Sequence, residues 1–118
     1  MAHTMTHPMT RDMQTCLDNC IECTQICMET VQHCLEKGGA HADPQHIQLL
    51  SDCAEICLTN MKFLVRQSAR HGLVSAACAQ ICDACAEGCE KMGDDEMMKQ
   101  CAEVCRRCAQ SCRQMAAA

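Results

Sequence analysis

Apolar residues recur along most of this chain at spacings of three and four, which is the period of an α-helix with one buried face. Cysteine fills many of these positions, and three segments share the spacing Cys-x3-Cys-x2-Cys-x3-Cys. In a helix, steps of four, three and four residues fall within about 60° of one another, so each quartet lines one narrow stripe. The quartets are Cys16, Cys20, Cys23, Cys27; Cys78, Cys82, Cys85, Cys89; and Cys101, Cys105, Cys108, Cys112, and Cys34 returns to the phase of the first.

Capping and turn residues divide this pattern into four helices. Gly38 ends the first, Asp43 with Pro44 opens the second, and Gly93 followed by Asp95 separates the third from the fourth. Four helices with three short connections predict an all-α fold, an antiparallel up-down four-helix bundle with a Cys-lined interior. The predicted helices span about residues 10–37, 44–70, 73–91 and 95–115, within a bundle of residues 10–116 that follows a tail or helix extension at 1–9.

The second helix carries a degenerate copy of the cysteine row. Cys53 and Cys57 occupy the first two positions, and Asn60 and Leu64 stand where the third and fourth cysteines would be. We therefore expect this helix to line only part of the interior with sulfur. Alignment of antiparallel neighbours through their turns predicts layers of side chains, one with Cys20, Met61, Cys82 and Cys105, another with Cys27, Cys53, Cys89 and Met97 or Met98.

The composition limits the kinds of protein that this chain can be. With 118 residues and few glycines and prolines, one domain is expected, and its core is unusual because 15 Cys and 10 Met stand beside a single aromatic residue, Phe63. The net charge of −5 argues against a nucleic-acid partner. No apolar run is long enough to span a membrane, and residues 1–12 show no export signal, so we expect no membrane association and a cytoplasmic location.

A purely structural role for the cysteines is disfavoured. A disulfide framework is opposed by the odd count of 15 and by the parallel orientation of side chains on one helical stripe. A simple apolar core would be packed at least as well by alanine, valine or leucine, without oxidisable groups. The repeated rows therefore indicate a metal-binding interior.

Clustered thiolates select soft metals, chiefly Cu(I), Zn(II) and the iron of iron–sulfur clusters. Exchange of one cuprous ion for each thiol proton leaves the interior near neutral, whereas a four-thiolate zinc site carries a charge of about −2 into a low-dielectric core. Cu(I) also accepts two or three ligands, which neighbouring cysteines can supply. The residues thus favour multiple Cu(I) ions, and a zinc-thiolate store or an iron–sulfur or thiol redox protein remain the alternatives.

The repeated quartets on four helices resemble the bacterial copper storage proteins, a family of cysteine-rich four-helix bundles. The resemblance covers about residues 10–115 and is greatest to the cytosolic branch, and the interruption at Asn60 and Leu64 departs from it. It implies a non-enzymatic store that binds many Cu(I) ions in the bundle interior and assembles as a homo-oligomer, typically a tetramer. The expected metal ligands are Cys16, Cys20, Cys23, Cys27, Cys34, Cys53, Cys57, Cys78, Cys82, Cys85, Cys89, Cys101, Cys105, Cys108 and Cys112.

Other soft or nitrogen ligands lie near the ends of the cysteine rows. Thioethers bind Cu(I) more weakly than thiolates do, so methionine at one end would suit ion entry. We expect the entrance at the end that carries Met98, although Met13, Met115 and His71 mark the opposite end, and His3 and His7 could bind metal adventitiously. The candidate auxiliary ligands are Met97, Met98, His41, His46, Met61 and Asn60.

A second apolar row accompanies the cysteines on the first two helices. It comprises residues that could pack helix against helix or form an interface between copies of the chain. The row consists of Leu17, Ile21, Met28, Val31 and Leu35 on the first helix and Ile47, Leu50, Leu58, Met61 and Val65 on the second.

Overall fold

The computed structural model describes residues 9–117, so His3, His7 and the rest of the predicted tail up to residue 8 lie outside that range. The described part contains four α-helices: α1 (Arg11–Lys37), α2 (Pro44–Val65), α3 (His71–Glu90) and α4 (Glu96–Ala117), with a short 3-10 helix, Gly39–Ala42, between α1 and α2. Residues 9–117 contain no β-strand. The predicted all-α class is confirmed.

The helix ends follow the capping residues. The Thr10 hydroxyl accepts a hydrogen bond from the Met13 amide at 3.1 Å and caps α1. Asp43 caps α2, with Pro44 at its first position, as the sequence predicts. Gly38 takes a φ of 74° after α1, a left-handed conformation that glycine adopts readily, and the chain there turns into the 3-10 helix.

The end of α2 differs from the prediction. The helix stops at Val65 and not near residue 70, and residues 66–70 form a turn in which Gln67 has a φ of 50°. A residue with this left-handed backbone conformation cannot continue a right-handed α-helix, so the helix ends before it. The α2–α3 connection is therefore longer than expected, and α3 begins two residues earlier than predicted, at His71.

The four helices pack around one shared interior. α1 lies against α2 and α4, and α3 lies against the same two helices, so each helix has two neighbours. The outer faces carry exposed ion pairs such as Arg107 with Glu22 and Arg106 with Glu90, together with several exposed apolar side chains on α1. None of the helices within residues 9–117 has the length and apolar character needed to cross a lipid bilayer.

Candidate metal centre

All fifteen cysteines point into the interior, which we call the lumen, and none is more than 1% exposed to solvent. Every one is a free thiol. This placement follows from the stripe geometry of the sequence, because a row on one helical face becomes an inward row when that face packs against three other helices. Cys34, the isolated member of the set, is also fully buried and extends the α1 row toward one end of the bundle.

Sulfur atoms from different helices approach one another closely near the middle of the lumen. The Sγ of Cys57 lies 3.5 Å from that of Cys82 and 3.7 Å from that of Cys78. The Sγ of Cys53 lies 3.7 Å from that of Cys82 and 3.8 Å from that of Cys23. Helices α1, α2 and α3 thus contribute sulfur to one continuous cluster.

The thiols form overlapping groups of four in which all sulfur atoms lie within 4.8 Å of one another. Cys57 belongs to at least two such groups, and so do Cys53 and Cys105. Because one cysteine is shared by adjoining groups, its thiolate can bridge two metal ions. Five of the groups are Cys20, Cys78, Cys108 and Cys112; Cys57, Cys78, Cys82 and Cys108; Cys23, Cys53, Cys57 and Cys82; Cys23, Cys27, Cys53 and Cys105; and Cys27, Cys85, Cys101 and Cys105.

The predicted axial register was wrong for one layer. Cys20 was expected beside Cys82 and Cys105, but it contacts Cys108 at 3.8 Å and shares a four-sulfur group with Cys78. Its partners on α3 and α4 are thus displaced by about one helical turn. The second predicted layer placed Cys27 beside Cys53, and these two cysteines do share a four-sulfur group.

Asn60 and Leu64 take the lumen positions of the two missing cysteines on α2, and both are fully buried. The side-chain nitrogen of Asn60 donates toward the Sγ atoms of Cys20 and Cys112, at 3.5 and 3.6 Å. Its oxygen accepts a hydrogen bond from the hydroxyl of Ser75 at 3.1 Å. The amide therefore presents N–H groups to the sulfur atoms. The neighbouring candidate ligand, Met61, is only partly buried and packs beside the core.

At the end of the lumen away from Asn60, which we call the mouth, a thiol, a thioether and an imidazole lie together. The Sγ of Cys34 lies 3.6 Å from the Nε2 of His46 and 3.6 Å from the Sδ of Met98. His46 is 7% exposed and Met98 is fully buried, whereas Met97 is partly buried. Burial, and then the charge of the nearby His41, lower the pKa of His46, which favours the neutral imidazole that a metal ion requires.

His41 does not reach the sulfur atoms at the mouth but binds Asp95. The Nε2 of His41 lies 3.1 Å from the Oδ2 of Asp95, and the Nε2 of His33 lies 2.8 Å from the same oxygen. The hydrogen bond from His33 holds the pKa of Asp95 well below its ordinary value. From the sequence, Asp95 is recognisable only as a helix boundary. Ser75 lies on the α3 stripe three residues before Cys78, and this position is the signal that could have identified it.

Electrostatics favour the protonated thiol at two positions of the metal-free lumen, Cys34 and Cys16. Burial, with the nearby charge of Asp95, raises the pKa of Cys34 to about 11. For Cys16, a hydrogen bond from Cys112 lowers the pKa, but contact with Cys20 and burial outweigh it and raise the value to about 12. Within residues 9–117, no lysine, arginine, aspartate or glutamate is among the buried residues. The lumen therefore holds no fixed charge that could compensate for many thiolates.

Comparisons with known proteins agree with this geometry. The sequence model of the Csp family, described as copper storage protein, matches residues 9–117. The structure of a protein from Nitrosospira multiformis superposes with a TM-score of 0.86 at 42% identity, covering 91% of this chain and 96% of that one. Cu(I)-bound copper storage protein BsCsp3 gives a TM-score of 0.83 at 34% identity, covering 90% and 99% of the two chains.

A third structure extends the comparison to a protein partly loaded with metal. It is a cytosolic copper storage protein from Streptomyces lividans carrying five coppers. It superposes with a TM-score of 0.79 at 30% identity and covers 91% of this chain and 93% of its own. The likeness to all three structures extends over almost the whole length of each chain.

Proposed function

Because the chain belongs to the copper storage protein family, its function is the storage of copper, and we propose that all fifteen lumen cysteines are the ligands that hold multiple Cu(I) ions. The observation that carries this assignment is the continuous set of overlapping four-sulfur groups inside one bundle. Such an arrangement supplies many two- and three-coordinate positions with bridging thiolates, which Cu(I) accepts.

Charge balance explains why the cargo is monovalent. Each Cu(I) that replaces one thiol proton leaves the charge of the lumen unchanged, and no buried cationic side chain within residues 9–117 could neutralise an excess of thiolates. A Zn(II) ion held by four thiolates would add about two negative charges to an interior of low dielectric constant. A zinc-thiolate store is therefore disfavoured by the same feature that favours Cu(I).

We also propose a role for the two ends. At the mouth, Met98 and His46 adjoin the outermost cysteine, Cys34, and offer a thioether and an imidazole as weaker ligands through which an ion could pass inward. Toward the other end, Asn60 faces thiols through its N–H groups, so it would stabilise thiolates by hydrogen bonding while the lumen is being loaded. Met97, Met61 and His41 would serve as secondary ligands only after a side-chain rearrangement.

No catalytic step is proposed, since no thiol in the cysteine rows is distinguished from the others by a resolving partner.

The proposed location is the cytoplasm, supported by the likeness to a cytosolic copper storage protein. The proposed assembly is a homo-oligomer through the outer row of α1, where Ile21, Met28 and Leu35 are 50%, 63% and 52% exposed.

The test is an anaerobic titration of the fully reduced protein with Cu(I) in the presence of a calibrated competing chelator, with a parallel titration with Zn(II). We expect many cuprous ions to bind per chain, with an ultraviolet thiolate-to-copper absorption that rises in step with loading. Binding of only one or two cuprous ions, together with tighter uptake of zinc, would overturn the assignment.

A further inference from the structure

A cluster of oxygen and nitrogen ligands lies just outside the lumen. It is formed by His33 near the end of α1, His41 in the 3-10 helix and Asp95 immediately before α4. Both imidazole Nε2 atoms lie within hydrogen-bond distance of one carboxylate oxygen, Asp95 Oδ2, at 2.8 and 3.1 Å. The two rings are nearly perpendicular, with an interplanar angle of 75° and centroids 6.0 Å apart. The cluster contains no sulfur ligand, which separates it chemically from the mouth.

The distance from each imidazole nitrogen to the carboxylate oxygen is close to that between two ligands of one metal ion. Ligands about 2.0–2.1 Å from a tetrahedral zinc ion lie about 3.3 Å from one another. The two observed N···O distances, 2.8 and 3.1 Å, would have to lengthen by only a few tenths of an ångström to admit an ion. Small movements of the side chains would be enough.

The carboxylate is held in position by its second oxygen. Asp95 Oδ1 accepts a hydrogen bond from the Met98 amide at 3.2 Å, which caps α4 and leaves Oδ2 directed at the two imidazoles. The side chain of Asp95 is 8% exposed, and those of His41 and His33 are 15% and 32% exposed. The ligands are thus ordered by the fold but can be reached from solvent.

The donor set differs from the lumen in the ions that it selects. Two imidazoles and one carboxylate suit borderline divalent cations, with Cu(II) preferred over Zn(II) at equal availability, whereas Cu(I) prefers sulfur. We propose that His33, His41 and Asp95 form a binding site for one borderline divalent cation, Zn(II) or Cu(II), separate from the Cu(I) store. Water would take the remaining coordination position.

The ammonium group of Lys37 lies beside this cluster and opposes the binding of a cation. Its Nζ lies 3.7 Å from Asp95 Oδ2, and its side chain is 55% exposed. An incoming divalent ion would displace this ammonium group into solvent at little cost, because the Lys37 side chain is already more than half exposed and its nitrogen lies beyond hydrogen-bond distance of the carboxylate. Removal of the Lys37 charge should therefore strengthen metal binding, which a purely structural cluster would not predict.

The test uses protein whose lumen has first been filled with Cu(I), so that added Zn(II) cannot bind the thiols. Protein carrying H3Q and H7Q serves as the background for every variant, because the N-terminal segment holds two further imidazoles. Bound zinc is measured anaerobically by equilibrium dialysis and elemental analysis. We expect one Zn(II) per chain, with affinity reduced at least tenfold in His41→Asn and in Asp95→Asn and raised in Lys37→Gln.

Asparagine can still cap α4, so Asp95→Asn tests the ligand without removal of the helix cap. In a parallel experiment, Cu(II) added to the Cu(I)-filled protein should give an electron paramagnetic resonance signal with nitrogen hyperfine splitting, and His41→Asn should change it. Zinc uptake that is equal in all variants, or no uptake by the background protein, would overturn the proposal. A failure to load Cu(I) at the outset would count against the storage function instead.

Discussion

The hydroxyl of Ser75 donates a hydrogen bond to the side-chain oxygen of Asn60 at 3.1 Å, and both residues are fully buried. This bond fixes the amide so that its nitrogen faces the sulfur atoms of Cys20 and Cys112. We predict that Ser75→Ala will lower the free energy of unfolding by about 1–3 kcal/mol, because the carbonyl oxygen of Asn60 then stays buried without a donor. The measurement is urea denaturation of the reduced, metal-free protein.

Ser51→Ala is the matched control for this experiment. The hydroxyl of Ser51 is on an exposed residue and donates to the backbone oxygen of Ile47 within the same helix. Its removal should change the free energy of unfolding by less than about 0.5 kcal/mol. Equal stability of the two variants would show that the amide of Asn60 does not depend on Ser75.

The position of a cysteine along the lumen should decide how much copper capacity is lost with it. Cys53 belongs to two four-sulfur groups and contacts Cys23 and Cys82, whereas Cys34 contacts an imidazole and a thioether. We predict that Cys53→Ala will remove at least one tightly held Cu(I), because a bridging thiolate is lost. Cys34→Ala should remove at most one ion and leave the filling of the interior unchanged. Competitive Cu(I) titration measures both, and full capacity in Cys53→Ala would contradict the bridging role.

Loading should release protons. The raised pKa values, about 12 for Cys16 and about 11 for Cys34, mean that these thiols are protonated at neutral pH. We predict that about one proton is released for each Cu(I) bound between pH 6 and pH 8. The apparent affinity for Cu(I) should fall about tenfold for each unit by which the pH is lowered, for each proton displaced. Titration in weakly buffered solution with a pH indicator measures this. Loading without proton release would show that the thiolates already exist in the metal-free protein.

Met98 should affect the rate of copper uptake more than the stability of the protein. It is fully buried with its sulfur 3.6 Å from that of Cys34. Met98→Leu conserves volume, so it should change the free energy of unfolding by less than about 1.5 kcal/mol. We predict that loading will nevertheless slow severalfold, because a soft ligand on the route inward is lost.

Stopped-flow ultraviolet absorption, which follows formation of copper–thiolate bonds, measures this rate. Met28→Leu is the control, because Met28 is 63% exposed on the outer face of α1. Equal loading rates in the two variants would mean that ions enter the lumen by another route.

The inward rows could be predicted from spacing alone, because helical periodicity fixes the direction of a side chain relative to its neighbours on the same helix. The three quartets, Cys34 and the pair on α2 are all buried as that rule requires. Capping residues in the sequence also predicted helix ends, as at Asp43 and Gly38.

The relative heights of the helices could not be predicted in the same way. Axial register depends on the geometry of each connection, and the turn after Val65, with its left-handed Gln67, is longer than the sequence suggested. Cys20 therefore meets Cys108 and Cys78 in place of Cys105 and Cys82. The contact of His33 and His41 with Asp95 could not be predicted from the sequence either, because it depends on how three separate elements pack together at one end of the bundle.

The close approach of free thiols from different helices also links copper holding to cellular redox balance. Cys57 and Cys82, at 3.5 Å, are near enough for an oxidant that enters the lumen to join them. Every such oxidation would withdraw two sulfur atoms from metal binding, whereas coordinated copper would protect the sulfur that binds it. A cell under oxidative stress would thus lose part of its capacity to store copper unless its reductants restored the thiols.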